Sequence, residues 1–145
     1  MGDFSLAFKN ITTKSIKKTE NIIRATVFDV EKGIISNSAV DTGRYKANWQ
    51  VTLNTPATST IDAEDKTGNT TIAKNKAVIF NNPIPLVYWI TNNLDYAMKA
   101  EYGLWTTKPS TAKTIVGYYR TSPNGAVRIT LQRFNKFLKD NARGL

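Results

Sequence analysis

The sequence predicts an α+β fold: a long N-terminal helix, a mixed or antiparallel sheet, a short helix and an amphipathic C-terminal helix. Three observations support this class. Apolar residues recur at helical spacing over residues 3–36, alternate with polar residues over residues 44–53, and return to helical spacing after residue 126. A chain of 145 residues is long enough for one hydrophobic core. We therefore expect a single domain over residues 1–145.

The first helix is predicted over residues 3–36. Its apolar positions at helical spacing are Phe4, Phe8, Ile11, Ile23, Val27, Val30 and Ile34. The middle, Thr12 to Thr19, is polar apart from Ile16, so the helix is expected to break or protrude there.

The stretch Val40 to Leu53 combines a turn with a strand. Asp41-Thr42-Gly43 is predicted as the turn, because Asp accepts backbone N–H bonds and Gly supplies a positive φ. Strict alternation follows, and it predicts a half-buried strand over Arg44 to Leu53 with one face on the core. The predicted core positions of that strand are Tyr45, Ala47, Trp49, Val51 and Leu53.

The segment after this strand is predicted as a flexible polar loop at about residues 54–69, rich in Thr, Ser, Ala and Asp. A short helix over residues 70–80 follows, with Ala73, Ala77 and Phe80 on one face. Pro83 and Pro85 end it. The length and composition of Leu86 to Ile90 indicate a buried strand.

The last third of the chain is predicted to hold two more helices. Asn92-Asn93 turns the chain, Asp95 caps a helix over Tyr96 to Tyr102, and Gly103 stops it. Residues 115–119 indicate a further strand. Ser122 is predicted as the N-cap of the final helix, with Pro123 at its first position. The final helix has an apolar stripe at Val127, Leu131, Phe134 and Leu138. Its opposite face carries Arg128, Gln132, Lys136, Lys139 and Arg143.

The amino-acid composition argues against an enzyme. The chain has no cysteine and no histidine, which excludes disulfides, thiolate nucleophiles, Cys/His zinc sites and Ser-His catalytic pairs. We expect no catalytic residue, no metal and no cofactor. Asp95 and Glu101 are the acids near the second aromatic strand, and salt bridges to Arg44, Lys99 or a neighbouring subunit are their favoured role over acid–base chemistry.

The triplet Asp41-Thr42-Gly43 matches the active-site triplet of aspartic proteases. Those enzymes need two carboxylates that share a proton, in a duplicated or dimeric all-β fold. Here the triplet follows a predicted helix, and Arg44 beside it favours the ionised form of the aspartate. A structural turn is therefore the favoured interpretation.

The positive charge is concentrated at the C-terminal end. From Leu104 to Leu145 there are eight cations and one anion, so +7 of the net charge of +9 lies in the last 42 residues. Such an end suits nucleic acid or an acidic protein partner, although a solvated face explains it equally well. Candidate partner or DNA contacts are Arg128, Lys136, Lys139 and Arg143. A membrane is the least favoured partner, since the helix ends and loops show no extra Trp or Phe to anchor the chain in it.

Aromatic side chains interleaved with cations allow a second interpretation, a stacking platform for bases. The set comprises Tyr45, Trp49, Tyr88, Trp89, Tyr96, Tyr102 and Trp105. Tyr45 and Trp49 share a predicted strand face with Val51 and Leu53, so packing in the core is favoured over nucleic-acid binding.

Two segments together resemble the lambda-type tail completion, or neck, protein family of tailed phages. The first is Val40 to Val51, VDTGRYKANWQV, and the second is Ile90 to Gly103, ITNNLDYAMKAEYG. Ala126 to Phe134 is similar to that family's ending. Asp95 stands where the family usually has proline, and residues 106–122 are longer than its usual connector. The signature positions are Asp41, Thr42, Gly43, Arg44 and Trp49 in the first motif, and Asn92, Asn93, Tyr96, Glu101, Tyr102 and Gly103 in the second.

The resemblance implies a non-enzymatic virion protein that forms a ring at the top of the tail and allows the tail to join the filled head. The implied partners are further copies in a ring on the order of six or twelve, and neighbouring adaptor, stopper, tail terminator or tail tube proteins. Transient contact with genomic DNA is also expected, and contact with a membrane is not. The implied location is the head–tail junction of the virion, and the host cytoplasm during assembly. The alternative function is a small basic nucleic-acid-binding domain.

Overall fold

A computed structural model describes residues 2–105, 114–115, 118–119, 122 and 124–142. Its elements in chain order are α1 (Gly2–Asn37), α2 (Arg44–Ala47), β1 (Gln50–Leu53), α3 (Asn69–Asn81), β2 (Tyr88–Thr91), α4 (Ala97–Tyr102), β3 (Thr114–Ile115), β4 (Tyr118–Tyr119) and α5 (Ala126–Ala142). β1 pairs antiparallel with β2, with Val51 opposite Ile90, and β3 pairs antiparallel with β4. The predicted α+β class is confirmed, with more helix than strand.

α1 is one continuous helix, so of the two outcomes predicted for Thr12 to Thr19, a break does not occur and protrusion is confirmed. The hydroxyls of Thr12, Thr13 and Thr19 donate hydrogen bonds to carbonyls four residues earlier, which satisfies this polar section without leaving the helix. Every residue from Gly2 to Thr19 is exposed. This half of α1, called the arm below (residues 2–19), protrudes by about 27 Å at the rise of an α-helix.

The core lies where the C-terminal half of α1 meets α2, α4 and the start of α5. Its buried apolar residues are Ile34, Ile35, Ala39, Tyr45, Trp49, Leu94, Ala100 and Ala126. The predicted core roles of Tyr45, Trp49 and Val51 are confirmed, since each is buried, whereas Leu53 is half-buried.

The predicted strand over Arg44 to Leu53 is wrong in its first half, which is the short helix α2. The Ala47 N–H donates to the Gly43 carbonyl at 3.0 Å, and the Asn48 N–H donates to the Arg44 carbonyl at 3.1 Å. Tyr45, Lys46 and Ala47 are buried in succession, which one face of a strand cannot achieve. Alternation of apolar and polar residues therefore did not distinguish a strand from a single helical turn that protein surrounds on most sides.

The buried face of α3 differs from the predicted one. Thr71, Asn75 and Ile79 are buried, whereas Ala73 and Ala77 are exposed. Asn75 turns inward because Glu31 and the Trp49 carbonyl accept its amide hydrogens. The alanines lack such partners, so the polar residues define the packed face.

β2 is also less buried than predicted. The strand begins at Tyr88, and Leu86 before it is 98% exposed. Among the described residues, β2 pairs with β1 alone, and Trp89 is 39% exposed. A two-stranded ribbon leaves one side of each strand without a neighbour. The apolar composition of residues 86–90 therefore predicted more burial for β2 than the structure shows.

The ends of α4 and α5 correct three further predictions. Asp95 is not the cap of α4, because Tyr96 occupies the N-cap position without a side-chain capping bond. Gly103 does stop α4, with φ +68°. α5 begins at Ala126 rather than at Pro123, which lies outside the described residues, so Ser122 is not its N-cap. Ile115 belongs to β3, and Tyr118 and Tyr119 form β4, so two short antiparallel strands replace the predicted single strand.

The packed face of α5 is rotated from the predicted stripe. Ala126 and Thr130 are buried, Val127 and Phe134 are half-buried, and Leu131 is 43% exposed. The side chain of Leu138 lies outside the described part. α5 turns its small residues inward because α1 approaches closely at Gly33, where an added Cβ would lie 2.7 Å from Thr130 Cγ2.

Candidate interaction site at the two signature motifs

The first signature motif forms a tight turn between α1 and α2. Gly43 has φ +98°, a left-handed conformation that favours glycine. Its carbonyl accepts the N–H groups of Ala47 at 3.0 Å and Asp65 at 3.1 Å. A Cβ on Gly43 would lie 2.5 Å from the Lys66 nitrogen. The glycine therefore lets the polar loop pass directly against the turn.

The neighbours of Gly43 complete this turn. The Thr42 hydroxyl accepts the Arg44 N–H at 3.2 Å, and the Arg44 guanidinium lies 3.9 Å from the Asp62 carboxylate. The Arg44–Asp62 pair is open to solvent, so it contributes little to stability. Asp41 is exposed on the same turn.

Trp49 connects the motif to the end of α1. Its indole Nε1 donates a 2.7 Å hydrogen bond to Ser38 Oγ, and that hydroxyl donates a 2.8 Å bond to the Ile34 carbonyl. All three residues are buried. The tryptophan thus fixes the chain from α2 into β1 against α1.

The second motif contacts the first through Asn92. Its side-chain amide donates a 2.9 Å hydrogen bond to the Tyr45 carbonyl, and its Oδ1 accepts the Leu94 N–H at 3.3 Å. Asn93 instead donates to the carbonyls of Ala57 at 2.8 Å and Ser59 at 3.1 Å. The pair of asparagines therefore joins the first motif to the polar loop. Whether that loop is flexible before binding stays a prediction.

A chain of aromatic rings runs through both motifs. Ring centroids lie 5.7 Å apart for Tyr45 and Trp49, 6.2 Å for Tyr45 and Tyr96, and 6.2 Å for Tyr96 and Trp105. The Lys99 ammonium lies 5.6 Å from the Trp105 centroid. Tyr45 and Trp49 are buried, so these two rings pack in the core and do not form a platform for stacking bases.

A pocket of about 270 Å³ opens between the motifs. Its lining includes Asp41, Thr42, Arg44, Tyr96 and Trp105. Asp41 is the single carboxylate among the described lining residues, whereas an aspartic protease needs two that share a proton. Over the described ranges, no three acidic side chains are grouped to hold a metal.

Glu101 connects the second motif to the final helix. Its Oε2 accepts the N–H groups of Ala126 at 2.8 Å and Val127 at 3.0 Å, and its Oε1 accepts that of Arg128 at 2.9 Å. The carboxylate thereby caps the start of α5, where a helix offers unpaired N–H groups and a positive dipole end. Its ionic partner is Arg128 at 3.6 Å, not the predicted Arg44 or Lys99.

Arg128 binds back to the second motif in two further ways. Its guanidinium donates a hydrogen bond to the Glu101 carbonyl and lies 5.1 Å from the Tyr102 ring centroid. Arg133 donates to the Asn37 side chain at 3.3 Å. Lys136 and Lys139 are exposed on α5, and Arg143 lies outside the described residues. Contact of these cations with a partner or DNA stays a prediction.

Two polar residues with structural roles were missed by the sequence reasoning. Glu31 is fully buried, and its Oε1 accepts an Asn75 N–H at 2.8 Å. Burial raises the pKa of Glu31 to about 7, and the Asn75 hydrogen bond opposes that rise. The only sequence signal was the position of Glu31 between apolar residues at helical spacing.

Asp65 is the second missed residue, and it anchors the end of the polar loop. Its carboxylate accepts the N–H groups of Gly68 and Thr71, both at 2.8 Å, and the Thr71 hydroxyl at 2.9 Å. Asp65 lies three residues before the N-cap Gly68, outside the usual capping position, so the local sequence signal for its role was weak.

Both motifs lie within the part of the chain that one protein-family model matches. The model of the HK97-gp10-like family, described as "Bacteriophage HK97-gp10, putative tail-component", matches residues 3–103. The match runs from α1 through α4 and covers more than half of the chain. No curated protein and no solved structure matches. Within the part that the structure describes, no helix is long and apolar enough to cross a membrane.

Proposed function

The chain belongs to the HK97-gp10-like family of phage tail components, and from this membership we propose that it acts at the head–tail junction. There it completes the top of the tail and allows the filled head to join. It does so as a structural subunit without enzymatic activity. It reaches the virion from the host cytoplasm, where assembly takes place.

One observation carries this proposal: the polar groups of the signature motifs are used to build the subunit. Trp49 bonds to Ser38, Asn92 bonds to the Tyr45 carbonyl, and Glu101 caps α5. Groups engaged in this way within the chain are not presented to a substrate. A subunit whose most distinctive residues hold its shape suits a role in which shape is the function, such as a ring in a particle.

The proposed assembly is a closed ring of identical copies, on the order of six or twelve. Each copy then contacts neighbouring adaptor, stopper, tail terminator or tail tube proteins. The polar loop at residues 54–69 and the motif pocket are the proposed contact surfaces for these neighbours. Exposed cations of α5, such as Lys136 and Lys139, are proposed to meet acidic protein faces. Contact with genomic DNA is transient, because a lumen that held DNA tightly would obstruct its passage.

Deletion of the gene from the phage tests this proposal. The deletion phage is expected to yield separate filled heads and tails, and purified wild-type virions should contain the chain in ring stoichiometry by quantitative mass spectrometry. Virions that lack the chain, or a deletion phage that still yields joined particles, would contradict the proposal.

A second candidate function is a nucleic-acid-binding domain, favoured by the exposed Lys136 and Lys139 and the +7 charge of the last 42 residues. It predicts DNA affinity that falls steeply with salt, with a log–log slope of about −3 or steeper for several phosphate contacts. The measurement is a salt series of DNA binding by fluorescence anisotropy. A flat response would remove this candidate.

A further inference from the structure

An apolar groove lies between the C-terminal half of α1 and α5. It encloses about 260 Å³. Its lining combines three apolar or small residues with four polar or charged ones: Val30, Gly33, Phe134, Asp29, Asn37, Thr130 and Arg133. A cavity of about 150 Å³ admits a benzene ring. The groove therefore has room for a phenylalanine side chain.

The arm carries a set of exposed apolar side chains that suits such a groove. Phe4 is 81% exposed, and Phe8 and Ile11 are each 65% exposed. They follow i, i+4, i+7 spacing and therefore lie on one face of α1, with the rings of Phe4 and Phe8 stacked at 6.5 Å. This spacing is the pattern of anchors by which a helix docks in an apolar groove.

The arm cannot reach the groove of its own chain. α1 is one unbroken helix, and its residues 29–37 form one wall of the groove. Phe8 and Asp29 are therefore held about 30 Å apart at the rise of an α-helix. Any arm that occupies the groove must come from another molecule. A second copy of the chain supplies one arm for each groove.

We propose that the arm of one copy docks through Phe4, Phe8 and Ile11 in the α1/α5 groove of a second copy. This inference rests on the proposed ring and names its interface. Each subunit gives one arm and accepts one, which is the heterologous contact that a ring requires. Burial of one phenylalanine in the groove removes roughly 150 Å² from water. The rest of the about 800 Å² that each partner contributes to a standard interface comes from the other side chains of the arm face.

Docking would also stabilise the arm itself. An isolated helix of this length is marginal in water, and the arm has no packed neighbour within the described chain. Its polar section, Thr12 to Thr19, adds few apolar contacts. The arm of a dissociated subunit is therefore expected to exchange its amide hydrogens faster than the arm of an assembled one.

Cysteine cross-linking tests the contact directly, because the natural chain contains no cysteine. Full-length Phe8→Cys and Asp29→Cys proteins are purified separately, mixed and oxidised. A disulfide-linked heterodimer is expected. The matched control is Thr13→Cys with Asp29→Cys, because Thr13 lies on the opposite face of the arm, and it should cross-link at least about tenfold less. Equal yields from Phe8→Cys and Thr13→Cys would overturn the proposal.

Solution mass separates this inference from the proposed function. The double variant Phe4→Glu/Phe8→Glu should weaken self-association by at least about tenfold, whereas Thr13→Glu should leave it unchanged. Light scattering and native mass spectrometry give the oligomeric state, and circular dichroism confirms that the variants remain folded. A ring that persists in the double variant overturns the arm interface and leaves the tail function standing. A wild-type chain that stays monomeric, or an arm that binds only another tail protein, also overturns it.

Discussion

Arg128 and Glu101 bind each other through both backbone and side chain. The Arg128 guanidinium donates to the Glu101 carbonyl, and the Glu101 carboxylate accepts the Arg128 backbone N–H at 2.9 Å. The family match ends at residue 103, so this pair connects the matched part of the chain to α5 beyond it. α5 therefore depends on the second signature motif for its start as well as for its position.

Replacement of Glu101 should loosen α5 specifically. Glu101→Ala leaves the first N–H groups of α5 without their acceptor, so the free energy of unfolding should fall by about 2 kcal/mol. Urea unfolding followed by circular dichroism measures the loss, and hydrogen exchange should locate it in α5. Asp95→Ala is the control, because Asp95 is exposed nearby and should change stability by less than about 0.5 kcal/mol. Unchanged exchange in α5 would contradict the capping role.

Stability should fall as the pH rises from about 4.5 through 7. Glu31 has a pKa of about 7 in the folded chain and 4.5 as its ordinary value. The folded state therefore holds the Glu31 proton more tightly than the unfolded state does. The stabilisation that results is complete below the ordinary pKa of 4.5, and it is lost as the pH rises through the folded-state pKa of about 7. Across that range the loss amounts to roughly 3 kcal/mol.

Glu31→Gln checks this origin of the pH dependence. The glutamine keeps an oxygen for the 2.8 Å bond from Asn75 and carries no charge. Urea titrations at pH 5 and pH 8 should differ for the wild-type chain and agree closely for the variant. A variant that keeps the full wild-type difference would assign the effect to another group.

The turn at Gly43 should tolerate no side chain. In Gly43→Ala the new Cβ would meet the backbone of Asp65 and Lys66 at 2.5–2.7 Å, with φ at +98°. Displacement of the loop should lower the free energy of unfolding by about 2–4 kcal/mol. Gly2→Ala is the control, since nothing lies within 4 Å of its Cβ position. Thermal melts of the two variants measure the contrast, and equal melting temperatures would show that the loop yields without cost.

The stability of the contact between α1 and α5 should depend on the methyl group of Thr130. Gly33→Ala places a Cβ 2.7 Å from Thr130 Cγ2, which should cost about 1–3 kcal/mol of stability. Thr130→Ser removes that methyl group and keeps the hydroxyl that donates to the Ala126 carbonyl at 2.7 Å. The double variant should recover most of the loss in a double-mutant cycle. If the stability losses of the two single variants simply add in the double variant, the two helices move apart at another point of their contact.

The sequence by itself determined the elements whose signals are local. Spacing of apolar residues located α1, because a helix brings residues three and four apart onto one face. It also located α3, although the face that it predicted for that helix is exposed. Gly43 marked a turn and Gly103 the end of a helix, because glycine readily adopts a left-handed conformation. Tyr45 and Trp49 were correctly placed in the core, although Tyr45 lies in a helix and not on the strand face that predicted its burial.

Tertiary structure decided what happens where distant residues meet. The Arg44–Ala47 segment is helical although its alternation predicts a strand, because the surrounding protein covers it on more than one face. Glu31 bonds to Asn75 44 positions away, and Glu101 caps a helix that begins 25 positions later. Such partners satisfy polar groups that would otherwise stay in water, and so they reverse the local preference for exposure. The spacing of apolar residues depends only on residues that are close in the sequence. It carries no information on which distant group will accept a hydrogen bond.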